Sequence, residues 1–222
     1  MCSFFDDLSS LKNCVMNALR NCEENSNLLG WVRASDAIGD FTYPYVLENQ
    51  EFCMEYISTT VIKYTKKLYI RMLADGIQYY TDRYSWNAGG TITKSLKNKN
   101  QLIVDEFSDG AFQAYTVRLE EASQKGKIYI IDAEFFIDGC NYVEHQYLGL
   151  TNSFPVRNLT LCVRVANNLK LLECKYNMYG HSVDRVPKIS KVIKPKSGII
   201  EHTFKNLVIG ERYNLEWRVV KK

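Results

Sequence analysis

Two carboxylates and one histidine are the residues whose types and spacing come closest to a reactive site. Asp132 and Glu134 stand two positions apart in the largely apolar segment 127–138, and His145 follows them. In a β-strand, residues two apart share a face and lie about 7 Å from each other. Two such carboxylates can bind a divalent cation or share a proton, and a nearby histidine can complete an acid–base group. The alternative is a solvent-facing strand with ordinary charges.

Other reactive combinations are weaker. The chain has only three histidines, and no zinc-binding spacing, dinucleotide fingerprint or nucleophile elbow is present. The glycine pair Gly89 and Gly90 is more typical of the end of an element than of a phosphate loop. We therefore predict no cofactor, no metal site and no catalytic residue, with Asp132, Glu134 and His145 as the alternative.

The cysteines indicate a reducing compartment. Their number is odd and they form no Cys-x-x-Cys pair, which is typical of reduced, mostly buried thiols. The seven cysteines are Cys2, Cys14, Cys22, Cys53, Cys140, Cys162 and Cys174. The first residues are acidic where a signal peptide is basic, and no apolar run reaches the roughly 18–20 residues that span a bilayer. We therefore expect a cytoplasmic protein with no membrane partner.

The N-terminal part, residues 1–88, carries the spacing of helices. An apolar stripe at three- and four-residue intervals predicts a first helix; its members are Phe4, Leu8, Leu11, Val15 and Leu19. A second helix is predicted over 51–80. Its buried side would be Phe52, Tyr56, Tyr64, Leu68 and Met72, and its exposed side Lys63, Lys66, Lys67 and Arg71. Together they predict a helical N-terminal region.

After Gly89 the period at which apolar residues recur changes from about 3.6 to 2 residues, and a period of 2 is typical of strands. Turn signals separate candidate strands at 101–107, 111–119, 127–137, 142–150, 158–165, 169–178, 188–193, 199–204 and 211–220. We therefore predict an antiparallel β-sandwich of about eight or nine strands over 89–222, and an α+β fold overall. Asp138 and Gly139 predict a tight hairpin that would bring His145 near Asp132 and Glu134.

The sequence points to binding more than to catalysis. It contains 15 tyrosines, which are good recognition residues, and we identify no motif of a known family. The function hypothesis is a non-enzymatic protein-binding or adaptor module whose partner is another protein. The alternatives are an enzyme of unknown type that uses Asp132, Glu134 and His145 on the sheet surface, and a nucleic-acid-associated factor that uses the basic C-terminal part. The candidate residues for nucleic-acid binding are Lys188, Lys191, Lys194 and Lys196, with Tyr176, Tyr179 and Trp217 as stacking partners.

Overall fold

The computed structural model describes residues 44–222, apart from 87, 110–111, 142–144 and 182–183. The described residues form one compact unit, Pro44–Lys222. The first predicted helix, with its stripe from Phe4 to Leu19, lies outside the described residues.

Thirteen strands build the Pro44–Lys222 unit. They are β1 Tyr45–Tyr56, β2 Val61–Met72, β3 Tyr79–Tyr84, β4 Thr91–Leu96, β5 Leu102–Asp109, β6 Phe112–Arg118, β7 Ile128–Asp138, β8 His145–Thr151, β9 Val156–Val165, β10 Leu169–Tyr179, β11 Ile189–Val192, β12 Ile199–Lys205 and β13 Arg212–Lys221.

The strands form three sheets. The first has six strands in the order β12-β9-β1-β2-β7-β4, the second has the order β11-β10-β13-β8, and the third has the order β3-β6-β5. Neighbouring strands run antiparallel, except that β1 and β9 are parallel. The sheets are therefore built mainly from antiparallel pairs, with one parallel pair inside the largest.

Alternate residues of the strands face one common core. The buried cluster takes members from all three sheets, among them Leu68, Phe135, Leu161, Tyr80, Tyr115, Val117, Tyr213, Leu215 and Trp217. Burying each large apolar side chain contributes roughly 1.5–3 kcal/mol. The opposite faces of the strands, which carry most of the polar side chains, are left for binding.

The predicted α+β fold is wrong, because the described residues are all β-structure and contain no helix. The segment predicted as the second helix, 51–80, forms the end of β1, the whole of β2 and the start of β3. Side chains four apart share a face of a strand as well as of a helix, since four is a multiple of two. A helix would turn Met54 away from its neighbours Phe52 and Tyr56, and Ile70 away from Leu68 and Met72, but the strands bury both.

Lys66 interrupts the alternation of apolar and polar residues in the sequence of β2. It stands at an inward position and is only 6% exposed, whereas the helix hypothesis placed it among the exposed lysines. Its ammonium donates hydrogen bonds to Asp82 Oδ1 at 2.7 Å and to the carbonyl oxygen of Arg83 at 2.8 Å. A buried lysine is tolerated when it is paired and hydrogen-bonded in this way.

The strands predicted after Gly89 are confirmed to within a few residues as β5 to β13. They do not form a separate sandwich, because they are shared among the three sheets with β1 to β4. The hairpin predicted at Asp138 and Gly139 is wrong: β7 pairs with β2 and β4, and β8 pairs with β13. Within the described ranges, no helix has the length and apolar character needed to cross a membrane.

Gly90 offers a test of how tightly the loop before β4 is packed. Its φ is +90°, and a Cβ built on it would stand 2.7 Å from the Asp138 carbonyl oxygen and 2.9 Å from the Cys140 nitrogen. Gly76 has a similar φ of +80° but nothing within 4 Å of its Cβ position.

We expect Gly76→Ala to lower the free energy of unfolding by about 1 kcal/mol, the cost of a left-handed backbone. Gly90→Ala should lower it by roughly 2 kcal/mol more, because backbone atoms must also move. Urea denaturation of both variants measures the difference. Equal losses would show that only the backbone conformation requires glycine at position 90.

Candidate functional site

Asp132 and Glu134 lie on the outer face of β7, as the alternation of that strand predicts. Glu134 Oε2 forms an ion pair with Lys63 Nζ at 2.7 Å, and Asp132 Oδ1 lies 3.4 Å from Lys97 Nζ. The Glu134 carboxylate, in return, raises the pKa of Lys63 through this hydrogen bond. Each predicted carboxylate therefore has a lysine from a neighbouring segment beside it.

His145 belongs to a different sheet. It begins β8 in the four-stranded sheet, where Arg218 of β13 is its register partner. Asp132 and Glu134 stand in the six-stranded sheet, since β7 pairs only with β2 and β4. The fold therefore brings the two carboxylates together but not the histidine. No group of three or more His, Cys, Asp or Glu side chains in the described part of the chain is arranged to hold a metal ion.

A groove of about 480 Å³ lies beside His145 on the four-stranded sheet. It is lined by His145, Gln146, Tyr147, Glu173, Cys174, Lys175, Val192, Glu216 and Trp217. Two ion pairs of 2.9 Å border it, Lys175 with Glu216 and Arg218 with Glu173. The groove can accept a polar or zwitterionic group, but its charges already neutralise each other.

Two buried asparagines lie next to this groove, two residues along the strands from Lys175 and Glu216. Asn177 and Asn214 are register partners and are 1% and 5% exposed. The Asn214 amide and the Tyr179 hydroxyl donate to the same Glu216 oxygen, at 3.4 and 3.3 Å, and the Arg212 guanidinium lies 3.9 Å from the Tyr179 ring centre. Tyr179 is therefore held in place beside these amides, which belong to the polar packing of the sheet.

The three-stranded sheet exposes four large apolar side chains on one of its sides. Tyr79 and Leu102 flank Arg118, and Phe107 is paired with Ala114. Phe112 stands on the same side of β6 as Ala114, because the two are two residues apart. The exposed fractions are 54% for Tyr79, 47% for Leu102, 44% for Phe107 and 37% for Phe112. We call these four residues the apolar face.

Two polar features order the apolar face. The guanidinium of Arg83 lies 4.7 Å from the centre of the Phe112 ring, a cation–π contact. The hydroxyls of Thr81 and Thr116 are hydrogen-bonded at 3.0 Å across the middle of the sheet. The face is therefore held in one arrangement before any partner binds.

Sequence reasoning missed the apolar face, although it predicted β5 and β6. The sequence signal for exposed apolar residues lies in the segment that starts at Leu102, where Val104 is also 46% exposed. A shift of register between Ile103 and Asp105 interrupts the alternation there. Because of this bulge, counting every second residue from Leu102 does not reach Phe107.

The aromatic residues suggested as nucleic-acid stacking partners are already covered or stacked within the protein. Trp217 is 2% exposed and Tyr179 is 6% exposed. Tyr176 is stacked on His202, with ring centres 3.7 Å apart, and packs against the core. The lysines of the C-terminal part therefore have no stacking surface from these three residues.

Comparison with known proteins adds little. No protein-family profile and no curated protein matches this chain. Among solved structures, the M1 zinc metallopeptidase from Deinococcus radiodurans is similar at 10% identity and a TM-score of 0.43, over 80% of this chain and 43% of that one. A mutant of that enzyme bound to a Tyr-Ser-Ala substrate is similar at 9% identity and a TM-score of 0.44, over 79% of this chain and 42% of that one. The chain thus spans less than half of these structures, and similarity at this level says nothing about its activity.

Proposed function

We propose that this chain is a non-enzymatic protein-binding module, an adaptor inside the cell, and that it binds its partner through the apolar face. The observation that carries the proposal is the exposure of Tyr79, Leu102, Phe107 and Phe112 on one side of a small sheet. Exposed apolar side chains grouped on one surface are typical of interaction sites.

Other exposed apolar side chains are less suited to binding. On the outer face of β7, Ile130 and Phe136 are 43% and 41% exposed. Asp132 and Glu134 lie between them and are engaged with lysines, so a partner would have to desolvate two ion pairs to cover both. The central row of the apolar face holds two threonines, Thr81 and Thr116, and one carboxylate, Asp105. A partner would therefore desolvate one carboxylate there instead of two ion pairs, and neutral hydroxyls cost less to bury.

The dimensions of the face suit a segment of another protein. Three strands span about 10 Å, and the seven residues of β6 extend roughly 20 Å. A stable interface between two globular surfaces covers about 800 Å² on each partner, which is more than this area provides. We therefore infer that the partner presents an apolar segment, with Phe112 and its stacked Arg83 as an anchor, since aromatic residues and arginine dominate binding hot spots.

An intracellular setting is consistent with the cysteines. Cys53, Cys140, Cys162 and Cys174 are free thiols. Free thiols persist in the cytosol, where glutathione and thioredoxin keep them reduced. The enzyme hypothesis has less support, because Asp132 and Glu134 share no site with His145.

The proposal predicts that replacing two anchors abolishes binding. Proximity labelling with the full chain should identify proteins that the Phe107→Ser, Phe112→Ser double variant no longer labels. A purified partner should then bind this variant at least about 30-fold more weakly, as the loss of one hot-spot residue costs 2 kcal/mol or more. Isothermal titration calorimetry measures the change.

Phe136→Ser is the matched control, because Phe136 is an equally exposed phenylalanine on another sheet. Its labelling and affinity should equal those of the unmodified chain, and all variants should keep their melting temperature. If the double variant keeps its partners, the apolar face is not the binding site. If the purified chain self-associates and the double variant does not, the partner is a second copy and the adaptor hypothesis is wrong.

A further inference from the structure

Two cysteines that lie far apart in the sequence are neighbours in the largest sheet. Cys53 of β1 and Cys162 of β9 are register partners in the parallel pair of strands. Paired residues of neighbouring strands point to the same side of a sheet, and the strands are about 4.8 Å apart. The two thiols therefore face each other.

Both thiols are on the outer side of the sheet. Phe52 and Met54, which flank Cys53, are buried in the core, as are Leu161 and Val163 beside Cys162. Cys53 is partly exposed. Cys162 is only 4% exposed, but the side chain of Arg164, two residues along the same face, is exposed. Cys53 and Arg164 are therefore the parts of this site that a small solute meets at the surface.

The surroundings distinguish the two sulfurs. A hydrogen bond between the thiols raises the pKa of Cys53 and lowers the pKa of Cys162. Burial and the Glu201 carboxylate act in the opposite direction on the pKa of Cys162, whereas Arg164 lowers it through its charge and a hydrogen bond to that sulfur. Cys162 is thus the nucleophile, and Cys53 is the thiol that can resolve it.

We propose that Cys53 and Cys162 form an oxidation site that reacts with hydroperoxides and closes reversibly to a disulfide. The Cys162 thiolate attacks one peroxide oxygen, so that the O–O bond breaks, and with one proton the products are a sulfenic acid and water or an alcohol. The Cys53 sulfur then attacks the Cys162 sulfur, giving the disulfide and releasing water. The peroxide is the two-electron oxidant, and a dithiol reductant restores both thiols by exchange.

Strand geometry explains why closure would be reversible. A disulfide accepts Cα atoms 4.4–6.8 Å apart, which the strand spacing satisfies, but it prefers Cβ atoms about 3.8 Å apart. In-register side chains on parallel strands stand nearly as far apart as the strands themselves, so β1 and β9 must draw together locally. Strained disulfides are the more readily reduced ones. This site lies in a different sheet from the apolar face and does not depend on the proposed function.

The test treats the full chain with hydrogen peroxide and maps the cysteines by mass spectrometry after alkylation. We expect a peptide pair linking Cys53 to Cys162, which a dithiol reductant separates. Cys140 and Cys174 are internal controls, because burial raises the pKa of both, to about 11 for Cys174. They should remain thiols over the same time.

Three variants separate the roles. Cys53→Ser should stop at a sulfenic acid on Cys162, which a 1,3-dicarbonyl reagent traps. Arg164→Gln should slow the reaction with peroxide by about 10-fold, as removal of a neighbouring cation disfavours the thiolate. Arg157→Gln, which changes an arginine of the same strand paired with Glu48 at 3.2 Å, should leave the rate unchanged. Oxidation of Cys140 and Cys174 as fast as of Cys162, or links from Cys53 to other cysteines only, would overturn the proposal.

Discussion

The Asp82→Asn variant is expected to lose about 3–5 kcal/mol of unfolding free energy, because it leaves the Lys66 ammonium buried without its counterion. The side chains of Lys66 and Asp82 are only 7% and 10% exposed, and Nζ lies 2.7 Å from Oδ1. Asparagine keeps the shape of the side chain but not its charge. Since typical domains have only 5–15 kcal/mol in total, the loss is large.

The Asp82 carboxylate also connects two sheets. Asp82 Oδ2 accepts a hydrogen bond of 2.7 Å from the hydroxyl of Tyr115, and Asp82 Oδ1 accepts one from the ammonium of Lys66, which belongs to β2. Burial, and then the Asp82 charge, raises the pKa of Tyr115 well above its ordinary value. The phenol therefore remains a donor, and the carboxylate holds partners from the six-stranded and three-stranded sheets at once.

Urea denaturation of Asp82→Asn measures the loss. The control is Glu173→Gln, which removes the charge from an exposed pair with Arg218, side chains 59% and 34% exposed; it should cost at most about 1 kcal/mol. Adding Lys66→Met to Asp82→Asn should restore part of the stability, because it removes the uncompensated charge. Equal losses in Asp82→Asn and Glu173→Gln would mean that the Arg83 carbonyl suffices to hold Lys66.

Phe135→Ala is expected to cost about 3–5 kcal/mol, since it leaves a cavity where the six- and three-stranded sheets meet. Phe135 is 1% exposed. Its ring centre lies 4.7 Å from that of Tyr84, 5.5 Å from Tyr64 and 5.7 Å from Tyr115. Tyr64 belongs to β2, whereas Tyr84 and Tyr115 belong to the three-stranded sheet, so one ring joins both.

Thermal and urea unfolding of Phe135→Ala should be compared with Phe136→Ala. The two phenylalanines are adjacent in β7 and point to opposite sides, and Phe136 is 41% exposed. Phe136→Ala should therefore change stability by at most about 0.5 kcal/mol. If both variants lose the same free energy, the loss comes from the strand propensity of phenylalanine and not from the packing between the sheets.

The nine strands β5 to β13 were predictable because their signal is local. In β9, Leu159, Leu161 and Val163 alternate with Thr160 and Cys162, and the structure buries the first set in the core. Such a strand follows from its own residues, since one face is packed and the other is not. The same reasoning correctly placed Asp132 and Glu134 on one outer face.

The strands β1 and β2 were not predictable in this way, because Lys66 occupies a core position. A charged residue among buried ones breaks the period of 2, and its burial is made tolerable by Asp82 and the Arg83 carbonyl oxygen, in the next strand along the chain. The remaining apolar residues of the segment fit four-residue spacing, which predicts a helix. The compensation is a tertiary contact, which the local pattern of β2 does not contain.

By itself, the sequence determined which side of β7, β9 and β13 faces the core and which carries polar groups, because that choice depends on neighbours two positions away. Tertiary structure alone decided which strands became neighbours. It separated His145 from Glu134 by placing β8 beside β13, and it brought Cys53 beside Cys162. Pairing between distant strands is set by the packing of whole sheets and the loops between them, and local alternation is the same whichever strand lies alongside.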